Sequence, residues 1–180
     1  MGAGARPEGR DFEVLAMPLL GRLYNFARWL SRDDAEAEDL VQETYARALK
    51  GFGSFQPGTN FAAWMFRILR NAFLTARSGA SKRQHISIQE EGEEAVLPST
   101  QETPESLLIS ARTQQQIQAA LERLPEVYRE VVLLCDVEEM SYREIAELLQ
   151  VPIGTVMSRI ARARRALRGL LAEQQMRVGR

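Results

Sequence analysis

The side chains in this sequence best suited to chemistry are arginines. Arg159, Arg162, Arg164, Arg165 and Arg168 crowd one short stretch, and no acid follows until Glu173. Guanidinium groups are permanent cations with planar donor forks, which suit phosphate oxygens and guanine edges. Nucleophilic, redox or metal chemistry has little to draw on, because the chain holds one cysteine, Cys135, and one histidine, His85. It has neither a phosphate-cradling P-loop nor a glycine-rich dinucleotide fingerprint. Binding is therefore expected rather than catalysis, with no catalytic residue, cofactor or metal.

Two short helices must position those arginines. Tyr142, Ile145, Ala146 and Leu149 recur at helical steps, and Ser141 with Glu144 three residues on has the spacing of a capping box. Gln150-Val151-Pro152 stops that helix, since proline lacks the amide hydrogen and disfavours a helical residue before it. A second helix follows at once, with Val156, Ile160, Ala163 and Leu167 inside and the arginines outside. A basic amphipathic helix alone is as readily a solvated surface. The cap, the proline turn and the small Gly154-Thr155 start together point instead to a helix-turn-helix, whose second helix enters the DNA major groove.

The chain has 180 residues and a net charge of −1, modest for a DNA binder until it is divided. Residues 1–77 carry ten basic and nine acidic side chains, 78–106 two and six, and 107–180 eleven and nine. Within the last segment, 153–180 carries seven and one, so positive charge gathers where a phosphate backbone would lie. Affinity for DNA alone is expected to be weak, with a larger partner supplying the rest. No apolar run nears the roughly 20 residues of a membrane span. The start lacks the apolar core of a signal peptide, and position 6 is Arg where myristoylation after Gly2 wants Ser or Thr, so a cytoplasmic place is expected. Cys135, beside Val131-Val132-Leu133-Leu134, is expected to be a buried, inert thiol.

Periodicity predicts helices along the rest of the chain. Over 11–30, Leu15, Leu19, Leu20, Leu23, Phe26, Ala27 and Leu30 form a stripe, with Pro18 at a helix start or a kink. Ser31–Asp34 is a polar break with an N-cap. A helix over 35–50 places Leu40, Val41, Thr44, Tyr45, Ala48 and Leu49 on one side. Glu36, Asp39, Gln42, Glu43 and Arg47 lie away from it, Glu43 and Arg47 forming an i,i+4 pair. The loop 51–60 is fixed by Gly and Pro, and Thr59 or Asn60 can cap the next helix, Phe61 to about Arg77. Its core face is Phe61, Trp64, Met65, Ile68, Leu69 and Ala72; Phe66, Arg67, Arg70, Asn71 and Arg77 lie on other faces. Aromatics interleaved with arginine suit unstacked bases and phosphates, although for Trp64 a core role is favoured. Residues 79–105, rich in Ser, Gly, Glu, Gln and Pro, read as a flexible acidic linker. His85 lies there without a ligand partner and is given no role. Helical pattern resumes at Ser106–Leu124, and Pro125 opens a further apolar helix over 126–136. The fold class is all-α: two small helical domains, 10–78 and 106–175, the second containing the helix-turn-helix.

In that order, AEDLVQETYARAL at 37–49, PGTNFAAWMFRILRN at 57–71, LPEVYREVVLL at 124–134 and SYREIAELLQVPIGTVMSRIARARRAL at 141–167 resemble a bacterial sigma factor of the extracytoplasmic-function (ECF) group. The resemblance runs from about Phe12 to Leu171 and implies a division of roles. Glu36, Asp39, Gln42 and Glu43 would face core RNA polymerase. Phe55, Thr59, Asn60, Arg67, Arg70 and Asn71 would melt and read the promoter's −10 element, capturing a flipped base whose lost stacking costs a few kcal/mol. In the −35 element, Thr155 would bond a phosphate, while Met157, Ser158, Ala161 and Arg162 align with base readers. Arg159, Arg164 and Arg165 go to phosphates, with helix packing the alternative for Arg164. Met157 and Ala161 depart from the family's usual Lys or Arg and bulkier residue: methionine cannot donate to guanine but can touch a thymine methyl. The acidic linker would mimic nucleic acid in a polymerase channel, and an anti-sigma factor would hold the protein inactive.

Two other classes compete. A conventional helix-turn-helix regulator with an amino-terminal sensing or dimerisation domain would bind a palindromic duplex tightly without polymerase. An enzyme would need the catalytic groups this sequence lacks.

Overall fold

The computed structural model describes residues 9–80 and 111–178. Most of the expected linker, with His85 and residues 106–110, lies outside them. Among the described residues every regular element is helical.

The amino-terminal lobe begins with α1 (Gly9–Ala16), a 3-10 turn over Met17–Leu19, and α2 (Leu20–Ser31). Pro18 sits in the turn, where its missing amide costs no helical hydrogen bond. The turn redirects the apolar stripe. Phe12 and Ala16 join Leu19, Leu23, Phe26, Ala27 and Leu30 in the core, whereas Leu15 and Leu20, which spacing put inside, are both 43% exposed. Arg32 ends α2 in the left-handed region, φ 61°. Asp33 then caps α3 (Asp34–Gly51), its carboxylate accepting from the Glu36 amide at 2.8 Å. Leu40, Val41, Thr44 and Ala48 of α3 are buried as expected, and the Thr44 hydroxyl is satisfied by donating to the Leu40 carbonyl. Leu49 instead faces out, 54% exposed.

Helix α4 (Phe61–Ala80) runs three residues beyond the expected end. Met65, Leu69 and Ala72 are buried, but so are Phe66 and Phe73, while Phe61, Trp64 and Ile68 are half-buried. The assignment of Phe66 to an outer face is therefore corrected. Its ring meets Phe26 of α2 edge-to-face, with centroids 5.2 Å apart. Positions 61, 64 and 68 lie on one flank of the 65–69–72 line and 66 and 73 on the other. That arc is wider than one contact face, and packing against α2 and α3 selects its 66–73 flank.

The carboxy-terminal lobe packs α5 (Ala111–Arg123), α6 (Glu126–Val132) and α7 (Tyr142–Leu149) around α8 (Ile153–Val178). The single helix expected over 126–136 passes into a π-helical segment, Leu133–Val137. Glu139 then turns at φ 55° toward α7. Both bonds of the capping box form: Ser141 Oγ accepts from the Glu144 amide, and the Ser141 amide donates to Glu144 Oε2 at 2.8 Å. Gln150, at φ 57°, and Pro152 make the turn into α8, whose Val156, Ile160 and Ala163 are buried. Cys135 is half-buried rather than buried; burial and then the Asp136 carboxylate push its thiol pKa up, away from reactivity.

The lobes are in contact, with α4 packed against α7. Buried Arg129 of α6 donates to the carbonyls of Leu121 and Leu124 in its own lobe and of Trp29 in the other. Burial lowers its pKa, but a guanidinium starting so high remains a cation.

Candidate nucleic-acid and partner interfaces

Phe52 to Asn60 forms a short aromatic shelf. Phe52 is buried and stacks on Phe55 with planes 7° apart, and Phe55 meets Phe61 and Trp64 at centroid distances of 5.1 and 5.4 Å. Gly58, at φ 89°, supplies the left-handed turn. The Thr59 hydroxyl closes it by donating to the Gln56 carbonyl at 2.8 Å. Asn60, rather than Thr59, caps α4, its Oδ1 accepting from the Ala63 amide. Phe55, Thr59, Asn60, Trp64 and Arg67 line one wall of a cleft of about 470 Å³; Glu144, Glu147 and Leu148 of α7 line the other. The ring face, amide groups and guanidinium of the first wall suit an unstacked base and its phosphate, while the glutamates of the second oppose a phosphate's charge. Trp64, assigned to the core from sequence, is part of that wall. Its spacing after Phe55 and Phe61 is the signal that could have placed it there.

Arg70 and Asn71 lie outside the cleft, one turn along α4 from Arg67 on the same stripe. Arg70 Nε donates to Glu130 Oε1 of α6 at 2.6 Å. Burial pushes the Glu130 carboxyl up, and Arg70 only partly offsets this. Further along, Arg77 donates to both oxygens of Glu126 at 2.8 Å. Asn60 Nδ2 reaches Glu144 Oε1 at 2.6 Å. Partial burial raises the Glu144 pKa, but the hydrogen bonds from Ser141 and Asn60 outweigh it and hold the carboxyl below its ordinary value.

On α3, Asp39, Gln42 and Glu43 are exposed and Glu36 is half-buried in the first turn. Glu43 accepts from Arg47 at 2.6 Å, so one of the acids is partly neutralised. Exposed Leu49, seven residues after Gln42, continues the same stripe. Sequence reasoning missed it by treating every leucine as core.

On α8, Thr155 is half-buried at the first turn, and Met157, 49% exposed, stands beside exposed Ser158. Ala161 and Arg162 are half-buried one turn on, and Arg165 is exposed beyond them. These positions share one face. Arg159 is half-buried and, like Arg162, makes contacts within the molecule. Arg164 leaves the set: it pairs with Asp136 and contacts Cys135 Sγ, so it packs α8 on the π-helical segment. The Asp136 carboxylate raises its pKa further.

An aromatic shelf on one helical lobe is thus followed by a helix-turn-helix on the next. Residues 15–83 match the family of sigma-70 region 2, and 114–167 match sigma-70 region 4. The chain is 38% identical over 162 residues to the ECF RNA polymerase sigma factor EcfG of Rhodopseudomonas palustris, covering 90% of this chain and 84% of that one. It is 39% identical over 152 residues to the ECF sigma factor SigE of Mycolicibacterium smegmatis; there the match covers 84% of this chain but only 58% of the relative. Among solved structures, the sigma factor RpoE in complex with the anti-sigma factor NepR from Bartonella quintana aligns with a TM-score of 0.67 at 32% identity, covering 91% of this chain and 98% of that one. The chain belongs to the ECF RNA polymerase sigma factor family. Among the described residues, no helix is long and apolar enough to cross a membrane.

Proposed function

We propose that this chain is a cytoplasmic sigma factor that binds core RNA polymerase and directs it to specific promoters, a binding function without catalysis of its own. Its amino-terminal domain, 10–78, docks on polymerase through Glu36, Asp39, Gln42 and Glu43, with Leu49 as an apolar anchor. Phe55, Thr59, Asn60 and Arg67 hold a base unstacked from the −10 strand, and Arg70 and Asn71 track its backbone. The carboxy-terminal domain, 106–175, places Met157, Ser158, Ala161 and Arg162 against −35 base edges, with Thr155, Arg159 and Arg165 on phosphates. The segment 79–105 links the two. An anti-sigma factor, as in the RpoE relative's complex, restrains it.

The observation that supports this reading is the presence, in one chain, of an aromatic and arginine wall, Phe55, Trp64 and Arg67, and of a basic second helix in a helix-turn-helix. A conventional regulator needs only the second. Gel shifts on a pool of promoter fragments test it. The free chain should shift them weakly, and chain plus core polymerase should shift a sequence-defined subset tightly. Tight binding to a palindrome by the chain alone would favour the conventional regulator.

A further inference from the structure

Among the described residues, the carboxy-terminal lobe exposes three large apolar side chains. Two of them, Ile153 and Met157, stand one turn apart on α8, each 49% exposed. Ile153 lies three residues before buried Val156, at the spacing of an inner residue, yet it stays out. It opens α8, and the first turns of such a second helix are those that meet base edges. Half-buried Ala161 continues the row at the next turn. The face assigned above to the −35 element therefore has two unlike borders, an apolar one of Ile153, Met157 and Ala161 and a polar one with Ser158 and Arg162. On the polar border Ser158 Oγ donates to the Thr155 carbonyl at 3.0 Å, which leaves its oxygen to accept.

We propose that Ile153 and Met157 form an apolar rail that selects thymine by its 5-methyl group, with Ile153 a specificity residue of the −35 contact. This deepens the sigma-factor reading and rests on it. In the major groove thymine alone presents an apolar group, where guanine, adenine and cytosine offer only hydrogen-bonding groups. Neither side chain can bond to those groups, so any other base against the rail loses water without regaining a hydrogen bond. The rail thus attracts thymine and rejects its competitors with the same atoms. Four residues of helix rise about 6 Å and stacked bases about 3.4 Å, so the two side chains address positions about two steps apart.

The test uses the full chain with core polymerase, on a duplex promoter at which the two together start RNA. Each −35 thymine, on either strand, is replaced in turn by deoxyuridine, which deletes the methyl and keeps every hydrogen-bonding group. At two thymines about two steps apart the exchange should weaken binding by about fourfold, the worth of one buried methyl-sized group. Ile153→Ala should remove that response at one of them and Met157→Ala at the other. Each variant is read as the ratio between its thymine and deoxyuridine duplexes, so that an unstable variant does not imitate the effect. A −35 element without thymine, or wild-type indifference to deoxyuridine, would overturn the proposal, and so would full response at both positions by either variant. Failure of the wild-type chain to give defined starts would remove the sigma-factor reading itself, whereas defined starts without methyl dependence would remove only the rail.

Discussion

Asn60 shows how much one side chain carries here. Its carbonyl caps α4 while its amide points across the cleft to Glu144. Asn60→Ala should therefore cost about 1 kcal/mol of stability from the lost cap, besides any functional defect. Asn60→Asp keeps the cap acceptor and removes the donor. We expect it to fold, to lose some stability because the new carboxylate meets Glu144, and to open promoters poorly, as read by permanganate reactivity of unpaired thymines; normal opening would take Asn60 out of base capture. Glu130 gives a pH signature. Its raised pKa favours the protonated form in the folded chain, so its contribution is present below the unfolded pKa and is lost as pH rises through the folded value. Facing it are Arg70, Glu126 and Arg159, which do not reverse that direction. Thermal melts should thus show wild type losing stability relative to Glu130→Gln as pH rises through that window; a constant difference would contradict the burial. On α8, Arg162→Ala should cost about 1–3 kcal/mol on promoters with a guanine opposite it. A uniform loss over all promoters would make it a phosphate contact.

Helices were the most legible level. The capping box at Ser141, the Gln150–Pro152 turn and the Glu43–Arg47 pair were all readable, because each depends on residues within four positions of one another. What spacing could not settle was which flank of a broad apolar arc faces a neighbour. Phe66 against Phe26 and Leu49 in solvent are decided by helices distant in sequence. Phe66→Ala should accordingly cost roughly 3–5 kcal/mol, where a surface aromatic would cost almost nothing, a difference plain in chemical denaturation. The −10 candidates were half legible for the same reason: the loop brings Phe55, Thr59 and Asn60 to one cleft with Arg67, but its opposite wall comes from α7. The outward stripe of α3 makes the matching functional prediction. Asp39→Arg with Glu43→Arg should leave the fold intact and abolish co-purification with core polymerase. Retained binding would move the docking surface elsewhere.

For the whole molecule, a net charge of −1 conceals two opposed distributions. Arg165 and Arg168 of α8 face outward, while glutamates of α6 face the arginines of α4. Local patterning could not reveal that contact, since it joins residues 49 to 60 positions apart. The central claim is that one chain gives polymerase its promoter choice, and mapping RNA 5′ ends made by core polymerase on fragmented genomic DNA tests it most directly. With this chain added, starts should gather at a few sites sharing −35 and −10 sequences at fixed spacing, and Asn60→Asp should deplete them. Starts that remain as scattered as those of core polymerase alone would contradict the account.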